Sequence, residues 1–123
     1  MRYRLAQCIC IIGVNPGYNN TDNDDFDMCL FMQEFLNKES EKYGEYIAFV
    51  VVPSKTIYKE EWGCPNGGEL TYMLYATMSS RYIGGISDWK EQCVNIIQDL
   101  KEELHQSTVT ITFSECDVVY LES

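Results

Sequence analysis

Basic residues are scarce in this chain: 9 Lys and Arg stand against 19 Asp and Glu, for a formal net charge of −10. A surface of that sign repels phosphate backbones and anionic lipid headgroups, which argues against direct nucleic-acid binding and against a membrane surface. Arg2 and Arg4 are the one basic pair close together near a predicted element, too little for a local patch. Long apolar runs are also missing, and none approaches the ~18 residues of a membrane span. Met1–Arg4 followed by Leu5–Val14 has the outline of a signal peptide. The apolar stretch is short, holds Gln7 and ends in Gly-Val-Asn-Pro rather than a small-residue cleavage site, so a first strand is expected there instead. Histidine is reduced to His105. No repeat, low-complexity segment or linker interrupts the chain.

The usual metal and nucleophile patterns are incomplete. Cys8-x-Cys10 places two thiols on one strand face, whereas zinc sites favour ligand pairs on turns with a second pair elsewhere. Asn20, Asp22 and Asp24 alternate like a calcium loop. The EF-hand register would then need glycine at Asp25 and glutamate at Phe31, and has neither. No metal or other cofactor is therefore expected. The six cysteines, Cys8, Cys10, Cys29, Cys64, Cys93 and Cys116, are dispersed and mostly lie on apolar faces, as buried free thiols do. Without a signal peptide they point to a reducing, cytoplasmic setting.

What the chain does have is a clear order of apolar periods. Residues 3–14 alternate with both faces apolar, which predicts a central strand. Asn15–Asn20 is loop chemistry, and Thr21, Asp22, Asp24 and Asp25 are cap candidates for a helix over roughly 24–43. Its stripe is Met28, Phe31, Met32, Phe35, Leu36 and Tyr43, with Phe26 and Leu30 on the opposite side. A second strand runs from Glu45 to Pro53; proline lacks a donor, so an edge position suits it. Residues 60–68 form a glycine-rich hairpin loop, and 70–78 alternates loosely as a strand, although Leu, Met and Ala also permit a helix. Ser87 caps a second helix whose arc is Trp89, Cys93, Ile96, Ile97, Leu100 and Leu104. Thr108–Phe113 is the last strand, and Val118–Leu121 either continues it after a bulge or forms another.

This order, β-α-β-β-α-β, predicts a single α+β domain over residues 1–123. The expected architecture is a ferredoxin-like two-layer sandwich: a four-stranded antiparallel sheet, two helices on one face, and an extra C-terminal strand or tail. The bare sheet face, with Phe26 and Leu30, then needs a cover, which suggests a homodimer or larger homo-oligomer.

Candidate functional residues gather around the hairpin. Cys64 lies in Trp62-Gly63-Cys64-Pro65-Asn66-Gly67-Gly68, where backbone amides aimed at its sulfur would make it nucleophilic. A base is lacking, because His105 falls away from its helix's apolar stripe. Tyr58, Tyr72 and Tyr75 offer aromatic faces with polar tips, and Glu60 and Glu61 offer charge. The other carboxylate pairs, such as Glu102-Glu103 and Asp24-Asp25, read as solvated surface. With no catalytic signature, the expectation leans away from an enzyme. It favours a small acidic protein that docks through Tyr58, Glu60, Glu61, Trp62, Cys64, Tyr72 and Tyr75 onto a partner's basic surface, for instance as an inhibitor of a nucleic-acid-handling enzyme. The alternative is an oligomeric ligand-binding regulator or cysteine-dependent enzyme with its site near the 60–68 loop.

Overall fold

A computed structural model describes residues 1–123. The chain forms β1 (Arg2–Gly13), α1 (Met28–Tyr43), β2 (Val50–Thr56), a 3-10 turn (Glu60–Trp62), β3 (Glu69–Thr77), α2 (Gly85–Glu103) and β4 (Thr110–Val119). The four strands make one antiparallel sheet in the order β2-β3-β1-β4, the ferredoxin-like arrangement. No helix is long and apolar enough to cross a membrane.

Strand parity decides which side chains meet the helices. On β1, Ala6, Cys8, Cys10 and Ile12 are buried, and their partners across β3 include Ala76, Leu74 and Tyr72. Against this face lie Met28, Met32, Phe35 and Leu36 of α1 and Trp89, Cys93, Ile96, Ile97 and Leu100 of α2. The opposite parity, Ile9 and Ile11 of β1, Val50 and Val52 of β2, and Met73 and Tyr75 of β3, forms the other face of the sheet. Ile11, Val50 and Val52 are exposed there.

Several boundaries differ from those expected. Helix α1 starts at Met28 rather than 24, and its cap is Asp27, whose carboxylate accepts from the Leu30 amide at 3.0 Å. The earlier acids are committed elsewhere. Asn15, only 2% exposed, donates to Asp24 Oδ1 at 2.8 Å and accepts from the Asn23 amide at 2.6 Å, while Asn23 Nδ2 reaches the Val14 carbonyl at 2.9 Å. These bonds fold residues 15–27 into a compact loop instead of a helical turn. β2 pairs with β3 only from Val50 to Thr56, so 45–49 lead into the strand, with Ile47 turned into the core. Pro53 then lies mid-strand, on an edge as anticipated. β3 is a strand, held on both sides by β1 and β2. Helix α2 begins at Gly85, leaving Ser87 inside its first turn without a capping bond. β4 pairs one-for-one with β1 from Thr110 to Val119, so no bulge separates the two C-terminal runs, and the second run lengthens the sheet rather than covering it.

Candidate active site

β3 opens with Glu69, directly across from Thr56 at the end of β2. Parity places Glu69 and Thr71 on the helix-free face, in line with Met73 and Tyr75. Two residues beyond β2, the Tyr58 hydroxyl donates to Glu69 Oε1 at 2.9 Å. Burial, then the bond to this carboxylate, pushes the Tyr58 hydroxyl up to about 12, so it remains a donor at neutral pH. Glu69 has no ion-pair partner. Beside it, the Thr71 hydroxyl lies 2.8 Å from Ser54 Oγ and 2.9 Å from Thr56 Oγ1, a short chain of hydroxyls across two strands.

A second wall comes from the segment after α2. Gln106 Nε2 donates to the carbonyls of Asn15 and Leu104, both at 3.1 Å. Gly13, at the end of β1, lets the two walls approach. A Cβ on Gly13 would run into the Glu69 carboxylate and would stand 2.9 Å from Gln106 Oε1. Between these groups and the sheet lies a cavity of about 470 Å³, floored by Ile9, Ile11, Thr110 and Thr112 and walled by Tyr18, Tyr58 and the 106–109 segment. That size suits a small organic molecule, for which ~300–1,000 Å³ is usual. Its chemistry is apolar and hydroxylic with a single carboxylate, Glu69.

Of the residues singled out in the sequence, Tyr58 is the one the fold brings to this cavity. Tyr72 faces the core, its hydroxyl on the Phe26 carbonyl at 3.4 Å. Tyr75 is on the open face, its hydroxyl against Met73 Sδ. Glu60 and Glu61 are exposed on the 3-10 turn, and Trp62 is 63% exposed with the Lys59 ammonium 5.4 Å from its ring centroid. Cys64 is half-buried beside a separate hollow of about 200 Å³, its Sγ 3.5 Å from the Pro65 carbonyl. Phe26 precedes α1 and packs on Phe31, while Leu30 is 53% exposed on the helix.

Glu69, Gln106, Gly13 and Thr71 escaped the sequence reading. One signal was available: extending the period of 70–78 back by one residue sets a lone carboxylate on an otherwise uncharged strand face.

A cavity of this kind, at one end of the bare face of a ferredoxin-like sheet and built around one carboxylate, defines a small-molecule site. The family model for SAM lyase matches residues 4–122, and the chain belongs to the SAM lyase family. The fold agrees with a phage SAM lyase solved in complex with S-methyl-5'-thioadenosine: TM-score 0.64 at 10% identity, covering 94% of this chain and 90% of that one. A phage SAM lyase in its apo state aligns with TM-score 0.61 at 11% identity, covering 91% and 81%. No curated protein matches the sequence. Family membership overturns the expectation of a non-catalytic inhibitor docking onto a basic protein surface. That reading took acidity and the lack of a familiar motif as its guide, and both are compatible with an enzyme whose substrate is a cation.

Proposed function

We propose that this chain cleaves S-adenosylmethionine to S-methyl-5'-thioadenosine in the Glu69–Tyr58 cavity. The observation that carries the reading is a carboxylate, oriented by a tyrosine and given no cation by the protein, in a chain whose family is SAM lyase. The substrate brings two cationic groups, a sulfonium and an α-ammonium, into a cavity that offers one anion.

The chemistry asks little of the side chains. When the Cγ–S bond of the sulfonium breaks, its electron pair stays on sulfur and a neutral thioether departs. A lyase adds no water, so the remaining carbon fragment satisfies its own Cγ: the substrate's α-carboxylate oxygen attacks as sulfur leaves, closing a five-membered lactone. Atoms and charges balance without a proton transfer, and the absence of histidine and lysine from the cavity is compatible with that. The enzyme's contribution is then to hold the chain of the substrate folded for ring closure, an effect of proximity and orientation. Tyr58 fixes Glu69, and Thr56 and Thr71 line the same cavity.

The exposed apolar residues next to the cavity, Ile11, Val50 and Val52, support a further part of the proposal: another copy of this chain covers the face, making a homo-oligomer. The six free thiols support a cytoplasmic setting. The test is to incubate the protein with S-adenosylmethionine in 18O-water and follow products by mass spectrometry, with native mass spectrometry for subunit number. Methylthioadenosine with an unlabelled lactone is expected; no methylthioadenosine overturns the activity, and labelled homoserine as first product overturns ring closure.

A further inference from the structure

Gln106 presents its side-chain amide in one orientation. Both hydrogens of Nε2 are occupied, one on the Asn15 carbonyl and one on the Leu104 carbonyl. Turning the amide over would set Oε1 against those two carbonyl oxygens, so Oε1 is held toward Gly13. There it borders the same space as the second oxygen of Glu69: the volume a Gly13 Cβ would fill touches both atoms. Glu69 Oε1 already accepts from Tyr58, while Oε2 and Gln106 Oε1 receive no hydrogen bond from the protein. Two acceptors bordering one space, one of them charged and neither given a donor by the protein, suit a donor-rich cation.

Resting on the reading of this cavity as the S-adenosylmethionine site, we infer that Gln106 is a substrate-binding residue which, with Glu69, holds the substrate's α-ammonium group. Of the two cations only the ammonium has N–H donors for both oxygens; a sulfonium has none. The ammonium also keeps its charge through the reaction. A carboxylate paired to the sulfonium would favour the ground state over a transition state in which that charge is disappearing, raising the barrier. Paired to the ammonium, Glu69 loses nothing as the bond breaks, and the α-carbon is anchored where its carboxylate must turn toward Cγ. Gly13 has no positive-φ requirement, so it is glycine for the space this ammonium clasp needs.

The test uses three ligands of graded structure by calorimetry: S-adenosylhomocysteine, which has the ammonium; its desamino analogue; and methylthioadenosine, which lacks the amino-acid arm. The wild-type protein is expected to bind the desamino compound about 10- to 100-fold more weakly than S-adenosylhomocysteine, the range for hydrogen bonds to a charged group. Gln106→Met should lose S-adenosylhomocysteine affinity while keeping methylthioadenosine within about twofold, since only the first reaches an acceptor of this kind. Gly13→Ala, which intrudes on the same clasp from beneath, should show the same selective loss and serves if Gln106→Met does not fold. Equal binding of S-adenosylhomocysteine and its desamino analogue by the wild type overturns the inference, as does a parallel fall for methylthioadenosine in folded Gln106→Met. A wild-type protein that binds none of the three sinks the substrate reading itself, a separate result.

Discussion

Three carboxylates in this molecule accept a hydrogen bond from a tyrosine; Asp88 takes its bond from Tyr82 on the exposed first turn of α2, and the other two have opposite fates. Between the helices, Asp99 Oδ2 accepts from Tyr43 at 2.8 Å and also from the Lys42 ammonium at 2.9 Å. Burial acts to raise Asp99, but its bonds to Glu39, Lys42 and Tyr43 outweigh it and hold the carboxyl below its ordinary value. On the sheet, Glu69 accepts from Tyr58 in nearly the same way and is given no lysine. The first carboxylate is complete within the protein and clasps α1 to α2. The second is complete only when something cationic arrives. What separates these two acids is the cavity: Asp99 is neutralised between the helices, whereas Glu69 faces open space with no cation beside it.

The helix-side cluster has a further member that sharpens the contrast. Glu39 is 6% exposed and its Oε1 has no donor. Burial, then its hydrogen bond to Asp99, pushes this acid up to about 7. Facing an ionised neighbour, it makes that bond only by keeping its own proton.

Breaking the sheet-side pair should have the largest effect. Glu69→Gln keeps shape and removes charge; leaving a paired cation without its anion costs about 2–5 kcal/mol, so kcat/KM should fall roughly 30- to 5,000-fold, mostly through KM, with the melting temperature little changed. Steady-state kinetics and a thermal melt on the same sample check it. Tyr58→Phe should cost less, about 10-fold in kcat/KM, because Glu69 keeps its charge and loses one orienting bond. On the helix side, Lys42→Met should leave turnover unchanged and lower the melting temperature only slightly, since the ammonium is largely exposed.

Glu39 gives the smallest effect at any one pH and the clearest sign. Its folded-state value is raised above the ordinary carboxylate range, so the native protein binds more protons than the unfolded chain between that range and about pH 7. Stability from this group is therefore full in acid and is lost as pH rises through about 7. Glu39→Gln should flatten the melting temperature across that window and leave turnover unchanged. A wild-type melting temperature that rises steadily over the same window would remove Glu39 from the argument.

The two regions were not equally readable in the sequence. The helix stripes and strand alternation are local periods, and they delivered the element order and the ferredoxin-like sheet. Residues 15–27 misled because a cap depends on which acid is free, and Asp24 was taken by Asn15 nine residues away. Glu39 was invisible because it sits among charged neighbours in sequence and becomes buried only when α2 packs on α1. The site was still harder to see: Glu69 and Gln106 are far apart in the chain, and a glycine in a third element is what lets them meet. Tyr58 was found because it flanks the hairpin. Tyr72 was grouped with it on the same ground, and parity sends it to the core instead.

Gly13 carries that absence of signal to its conclusion. Where the backbone does not need it, glycine gives up about 0.4–1 kcal/mol against alanine through the freedom of the unfolded chain, and nothing in the backbone of Gly13 asks for it. A protein drifting toward greater stability would be drawn to fill this position, and the first methyl to arrive would push the Glu69 carboxylate and the Gln106 amide out of place while leaving the fold intact. The proposed site thus depends on a missing atom, and filling it would show first as a protein that melts higher and holds its ligand more weakly.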